Sequence, residues 1–310
     1  MTKLYDTIIV GSGPAGLTAS IYASRYQIDH LVVGKTLGGE MALSSWIENY
    51  PGFKSISGAD LAQGMAKQVK GLGGKILDEG IARIEKEETA FKLTTESEKV
   101  YRAKTVILTT GTERRKLGIP GEEEYTGKGV SFCATCDAPL FRGKAVAVVG
   151  GANAAVQGAL LLTEFAKKVY IIYRRKPLRA DPIFVKRVEE QVEKGKIELI
   201  YETNITEIEG DGSKVTGVVL GKSYQGKTEL SLDGVFIEAG GVPGTALVKP
   251  LRVELDEKGF IKVDLGMRTS IPGLFAAGDI TSSGALLQQI TTACAQGAMA
   301  AVAAYQYLST

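Results

Sequence analysis

The strongest constraint on this chain is a short pattern that it carries twice: an apolar strand running into a glycine turn that opens a helix. The run Leu4–Val10 is followed by Gly11-Ser12-Gly13-Pro14-Ala15-Gly16, a helical stretch to about Arg25 and a second apolar run, His30–Val33. Residues 144–149 restart the pattern, with Gly150-Gly151-Ala152-Asn153-Ala154-Ala155, a helix to about Ala166 and a strand at Lys168–Tyr173. Strand, glycine turn, helix, strand is the βαβ opening of a dinucleotide-binding domain. The later elements of the two copies also match. A polar meander over residues 81–100 leads to a buried strand at 105–109 and Gly111, and a meander over 204–230 leads to a strand at 235–238 and Gly240-Gly241. A third segment, with a strand at 260–263, Gly273 to Asp279 and an Ala-rich helix over 287–308, returns to the first copy.

These elements predict an α/β chain of two Rossmann-like, three-layer ββα dinucleotide-binding domains, the second inserted into the first. Residues 1–117 and 244–310 form one domain, and residues 118–243 the other. Both crossings are rich in glycine and proline, Gly118-Ile119-Pro120-Gly121 and Gly240-Gly241-Val242-Pro243-Gly244, which marks them as hinges. A length of 310 residues suits two domains. The net charge of +2, with no dense run of Lys and Arg, gives no reason to expect nucleic acid as a partner. The apolar stretches are strand-length, or short Ala-rich helix as at residues 298–304, too short to span a membrane. Residues 1–4 run straight into a strand without a leader, so a cytoplasmic protein is expected and Asn204-Ile205-Thr206 is a chance glycosylation match.

Three cysteines are too few, and odd in number, for a disulfide scaffold. Cys133 and Cys136 form a CxxC pair, and the single histidine, His30, is far from them in sequence. Zinc needs four good ligands, so no metal is expected and a redox pair is the better reading. One sulfur of such a pair exchanges with a partner and the other resolves the mixed disulfide. Asp137, directly after the pair, is placed to carry the proton or to cap the following turn. Cys294 lies in the Ala-rich helix and reads as core packing.

Within the first glycine turn, Gly11 permits the tight bend, Gly13 lets backbone approach a pyrophosphate, and Gly16 allows close helix–strand packing. The acid that grips a ribose at the end of the second strand is missing, with Gly34 and Lys35 in its place.

Five motifs, in order, make the chain resemble the low-molecular-weight bacterial thioredoxin reductases over essentially its whole length. They are Gly38-Gly39-Glu40-Met41, Glu48-Asn49-Tyr50-Pro51-Gly52, Thr109-Thr110-Gly111, Cys133-Ala134-Thr135-Cys136-Asp137 and Gly278-Asp279. The resemblance implies FAD in the first domain. Gly11, Gly13 and Gly16 would face its pyrophosphate, with Pro14 and Ala15 also in the cofactor-binding set, and Asn49 would lie on the flavin side with Asp279 at the ribityl–phosphate region. Gly38, Gly39, Glu40, Met41, Thr110, Gly111, Gly278, Gln288, Gln289 and Ile290 complete the expected FAD set. The family usually has GGQ where this chain has Gly38-Gly39-Glu40, and Arg-Gln where it has Gln288-Gln289. By the same resemblance Cys136 faces the flavin, Cys133 attacks the partner disulfide and Asp137 carries the proton. The implied partner is thioredoxin or a glutaredoxin-like protein, and the implied assembly a homodimer.

The second turn is expected to hold NADPH through Gly150, Ala152, Asn153 and Ala154, although Ala152 stands where backbone meets pyrophosphate most closely. Arg174, Arg175 and Arg179 suit a 2′-phosphate, and match the family's His-Arg-Arg-x-x-x-Arg except for Tyr173. The alternatives are NADH, or no pyridine nucleotide, with ferredoxin or another non-pyridine donor reducing the same fold. A hydroperoxide reductase subunit would carry a further module before the first strand. A non-catalytic flavin- or nucleotide-sensing protein would not need the Cys pair. Because the pair and the second turn share one inserted domain and must both reach one flavin, rotation of that domain is expected.

Overall fold

The structure, a computed structural model, describes residues 3–44 and 46–310. Residues 1 and 2, part of the stretch expected to run straight into a strand, lie outside the described residues. The chain divides into two units, Met1–Glu113 with Val242–Thr310, and Arg114–Gly241.

The first unit opens with β1 (Leu4–Val10), buried from Thr7 onward. Helix α1 (Pro14–Arg25) starts with proline at its first position, where the missing N–H costs no helical bond. Strand β2 (His30–Val33) lies parallel to β1 and is buried throughout, the continuous apolar run expected of a strand covered on both faces. Helix α2 (Gly58–Gly71), capped by the Ser57 hydroxyl accepting from Asp60 N–H at 3.0 Å, leads to β3 (Lys75–Leu77) beside β2. Strands β4 (Ile81–Lys86), β5 (Phe91–Thr95) and β6 (Val100–Leu108) form an antiparallel meander. The sequence separates this meander from a buried strand at 105–109, whereas the structure joins them. The start of β6 pairs with β5, and its end runs parallel to β1. The change from polar to apolar residues marks entry into the sheet centre and not a break in the strand.

The outward crossing contains a short strand, β7 (Thr112–Arg114). In the second unit β8 (Val130–Ser131) precedes the short helix α3 (Ala134–Asp137). Then come β9 (Ala145–Val149), α4 (Asn153–Leu162), β10 (Lys168–Tyr173), α5 (Pro182–Glu193) and β11 (Ile197–Tyr201). The meander is β12 (Ile205–Gly210), β13 (Val215–Tyr224) and β14 (Lys227–Ser231), and β15 (Gly234–Ile237) closes the unit. A parallel sheet in the order β11-β10-β9-β15-β8 packs against the separate β12-β13-β14 sheet through Val149, Ile172, Val218, Val235 and Ile237. Buried Glu122 fixes the entry loop by accepting Leu117 N–H at 2.9 Å and Gly118 N–H at 2.6 Å. Gly121, expected as a hinge, is locked inside this unit, since a Cβ there would lie 2.0 Å from the Ile208 carbonyl oxygen.

The chain returns through β16 (Gly241–Pro243), which pairs with β7, and β17 (Leu274–Ala276), which lies parallel to β6. No strand forms at 260–263. Ile261 makes only isolated bridges to Leu255 and Thr281, because the apolar run is too short to sustain a ladder. Helix α6 (Ile290–Leu308) starts three residues later than the composition suggests, since Gln289 is extended. Its alanines and Gly297 bring it against α1, where a Cβ on Gly297 would lie 2.1 Å from Ala15 O.

Candidate functional site

In the first unit a cavity of about 910 Å³ opens over the first glycine turn. The turn is shaped by contacts that only glycine permits. Gly11 sits at φ +116°, and a Cβ on Gly16 would fall 2.0 Å from Gly11 O, so α1 lies directly on the end of β1. Gly13 is different. It caps α1 in an extended conformation (φ −77°), and a Cβ there would meet nothing nearer than Gly38 O at 3.9 Å. Glycine at this position leaves room in the cavity for a ligand and relieves no strain in the fold.

Gly11, Gly13, Pro14, Ala15, Gly39, Glu40, Met41, Thr110, Gly111, Gly278, Asp279, Gln288, Gln289 and Ile290 all line this cavity. Three expected residues are not part of the lining. Gly16 sets the helix packing, Gly38 donates its N–H to Ser12 O at 2.8 Å, and Asn49 donates to Gln289 Oε1 at 2.8 Å. Buried Gln296 holds the Gly278–Asp279 turn by accepting Gly278 N–H at 2.8 Å and the Thr281 hydroxyl at 3.2 Å. Burial, reinforced by the charge of Glu40, pushes the Asp279 carboxyl up to about 6. Lys35, Thr36, Glu79, Gly80, Ile81 and Glu96 line the opposite end. Apart from Lys35, which stands at the place of the missing ribose acid, sequence reasoning misses them, because they come from loops without a periodic or motif signature.

These features fit FAD. A helix N-terminus with a bare glycine suits a pyrophosphate, and the volume suits a dinucleotide. A carboxyl held near its own titration point suits the hydroxyls of a ribityl chain.

The second unit carries the redox pair. Cys133 and Cys136 are joined as a disulfide with Cα atoms 5.3 Å apart. Cys133 precedes α3, and its Sγ accepts the Cys136 N–H at 3.1 Å, a bond that would favour a thiolate there on reduction. Cys133 N–H donates to Ser131 Oγ at 3.0 Å. Cys136 is exposed and Cys133 half-buried. Gly158 on α4 makes the room for Ala134, since a Cβ there would stand 3.0 Å from the Ala134 methyl. Asp137 follows the pair, half-buried, and its side chain makes no capping bond to the next turn.

The second glycine turn copies the backbone of the first. Ala152 caps α4 at φ −99°, ψ −178°, against −77° and −174° at Gly13. Alanine costs nothing in that conformation, but its exposed methyl stands where Gly13 leaves open space. Asn153 Oδ1 accepts Asp181 N–H at 2.7 Å, and Arg179 N–H donates to Gly151 O at 2.6 Å, folding the arginine loop back onto the turn. Ala154, Arg174, Arg175 and Arg179 are exposed around it. Tyr173 lies over Gly151, where a Cβ would come 2.5 Å from the ring. Among the described residues no group of three His, Cys, Asp or Glu side chains could hold a metal ion, and no helix is long and apolar enough to cross a membrane.

A family model for pyridine nucleotide-disulphide oxidoreductases matches residues 5–297. A thioredoxin reductase of Listeria monocytogenes is 41% identical over 308 residues, spanning 99% of this chain and 94% of the relative. The crystal structure of Lactococcus lactis thioredoxin reductase superposes with a TM-score of 0.92 at 40% identity, covering 98% of this chain and 99% of that one. The thioredoxin reductase of T. acidophilum gives 0.91 at 39% identity, with 98% of each chain covered.

Proposed function

The chain belongs to the pyridine nucleotide-disulphide oxidoreductase family, and on that premise we propose that it is a thioredoxin-disulfide reductase working through Cys133 and Cys136. It is a flavoprotein disulfide oxidoreductase that uses FAD and NADPH. The observation that carries the reading is the closed Cys133–Cys136 disulfide, in a chain that also holds a dinucleotide-sized cavity.

The residues divide the work. Gly11, Gly13 and the α1 N-terminus would hold the FAD pyrophosphate, with Asp279 at the ribityl chain and Gln289 toward the flavin side. When bound, FAD supplies a two-electron carrier between pyridine nucleotide and disulfide. Arg174, Arg175 and Arg179 would take the 2′-phosphate of NADPH, a dianion that guanidinium groups bind in a fork. Two electrons and two protons open Cys133–Cys136 to the dithiol. The Cys133 thiolate attacks one sulfur of the partner disulfide, and the other partner sulfur leaves with a proton from Asp137. Cys136 then attacks Cys133 Sγ, which restores the disulfide and releases the partner as its dithiol. The partner is thioredoxin or a glutaredoxin-like protein.

Residues 114–241 carry both the pair and the second turn, so the reading includes their alternate presentation to one flavin. It also includes a homodimer in the cytoplasm, on the strength of the resemblance.

An anaerobic titration followed by flavin absorbance tests this. Stoichiometric NADPH is expected to bleach the flavin, and the bleached protein to reduce thioredoxin. Bleaching by dithionite alone would sink the NADPH arm and point to a ferredoxin-type donor, and a protein that takes up no FAD would overturn the reading.

A further inference from the structure

The missing ribose acid leaves a gap that the structure fills from elsewhere. A residue at the end of β2 normally supplies a carboxylate for the ribose hydroxyls of the bound dinucleotide. Gly34 cannot carry one, because a Cβ there would lie 2.5 Å from both N and Oγ of Ser12. Ser12 is itself fixed by donating to Thr36 O at 2.9 Å and accepting Gly38 N–H at 2.8 Å.

A carboxylate nonetheless lines this end of the cavity, 62 residues further on. Glu96 follows β5 at the tip of the β5–β6 hairpin, and its N–H donates to Gly80 O at 2.9 Å, strapping the hairpin to the loop after β3. The carboxylate lies beside Gly80, where a Cβ would come 2.5 Å from Glu96 Oε1. Lys35, the residue after the missing acid, reaches across and holds both oxygens of Glu96, at 3.2 and 2.9 Å. Glu79 is already engaged, accepting from Ser97 and pairing with Lys99 at 3.8 Å. The Lys35–Glu96 pair is exposed, with side chains 70% and 51% accessible, and such a pair adds little to fold stability.

We propose that Glu96, positioned by Lys35 and strapped to Gly80, grips the ribose hydroxyls of the FAD adenosine in place of the acid excluded at Gly34, and so sets the preference for FAD over FMN. The geometry suits this. The pyrophosphate belongs on Gly13 at the α1 N-terminus, and the adenosine half then lies toward the β2 end of the cavity, where Glu96 stands. A carboxylate held on one edge by an ammonium keeps lone pairs for two neighbouring hydroxyls.

The inference rests on the FAD assignment, and its test separates the two. Flavin is removed from the full chain, and FAD and FMN are each titrated back by fluorescence quenching. FMN lacks the adenosine half, so Glu96→Ala is expected to raise the Kd for FAD tenfold or more and leave that for FMN unchanged, a loss within the range for a hydrogen bond to a charged group. Lys35→Met, which leaves the carboxylate in place but unheld, is expected to raise only the FAD Kd, by a few-fold. An unchanged FAD Kd in Glu96→Ala, or equal losses for FAD and FMN, would overturn the proposal while leaving the FAD assignment standing. Failure of the unaltered protein to bind FAD would overturn both.

Discussion

The Ser20 hydroxyl donates to Nε2 of His30 at 2.7 Å, in the buried layer between α1 and β2. His30 Nδ1 lies 2.9 Å from Ile28 O, which can only accept, so Nδ1 carries a proton, and in the neutral ring Nε2 is the acceptor for Ser20. Burial lowers the histidine from its ordinary value of 6.5, against weaker opposition from the Ile28 bond and the charge of Asp29. Below pH 6.5 the unfolded chain takes up a proton that the folded chain resists. The stability contributed by neutral His30 is therefore complete above 6.5 and is lost as pH falls toward the lowered folded value. His30→Gln is expected to cost about 1–3 kcal/mol at pH 7.5, through the disturbed buried bonds. It should also flatten the fall in urea midpoint between pH 7 and 5.5. An equally steep fall in the variant would show that His30 is not the group responsible.

Asp279 titrates with the opposite consequence. In the flavin-free protein its carboxyl is held at about 6 against an ordinary 3.8, so it contributes stability below 3.8 that is lost as pH rises through 6. The rise corresponds to on the order of 2–3 kcal/mol at most. Asp279→Asn is therefore expected to raise the thermal midpoint of the flavin-free protein at pH 7.5, to change it little at pH 4, and to weaken FAD binding. A variant less stable than the parent at pH 7.5 would contradict the buried-charge account.

Part of this architecture is legible in the residues and part is not, and the division is physical. β1, β2 and β10 stand out because their buried stretches, Ile8 to Val10, Leu31 to Val33 and Ile171 to Tyr173, are short continuous runs of apolar or aromatic residues. The glycine turns are equally visible, since the bend at Gly11 and the helix contact at Gly16 exclude a side chain. Helices α2 and α5 and strands β3 and β11 do not stand out, because their half-exposed faces mix polar and apolar residues. The FAD-side motifs and the Cys pair are readable as local strings. Glu96 and Gly80 are not, because their relation to Gly34 exists only once the hairpin is folded against the loop after β3.

The two cysteines should separate in a trapping experiment. If Cys133 attacks and Cys136 resolves, Cys136→Ser leaves the mixed disulfide with thioredoxin nowhere to go. A stable adduct of one thioredoxin per chain is expected by intact mass, whereas Cys133→Ser should give none. The Cys136 N–H donated to Cys133 Sγ supports this order, because it favours the thiolate at the attacking position. An adduct formed only by Cys133→Ser would reverse the two roles. Both variants should lose at least about 1,000-fold in thioredoxin turnover, since neither retains a dithiol.

Ala152 offers the sharpest test of the second nucleotide site. Its backbone matches that of Gly13 to within about twenty degrees in φ and less in ψ, so the two turns differ chiefly by one methyl group. At Gly13 the corresponding space opens into the cavity. Gly is also preferred to Ala at the N-cap, so Ala152→Gly should leave the stability of α4 within about 0.5 kcal/mol. If pyrophosphate approaches here as it does at Gly13, removing the methyl should lower the KM for NADPH about three- to tenfold with little change in kcat, the signature of improved ground-state binding. Gly13→Ala, the mirror change, should weaken FAD binding by a comparable factor. An unchanged NADPH KM in Ala152→Gly, alongside a loss of FAD in Gly13→Ala, would mean that the two turns share a backbone but not a ligand. The arginines at 174, 175 and 179 would then have to hold the nucleotide without help from the turn.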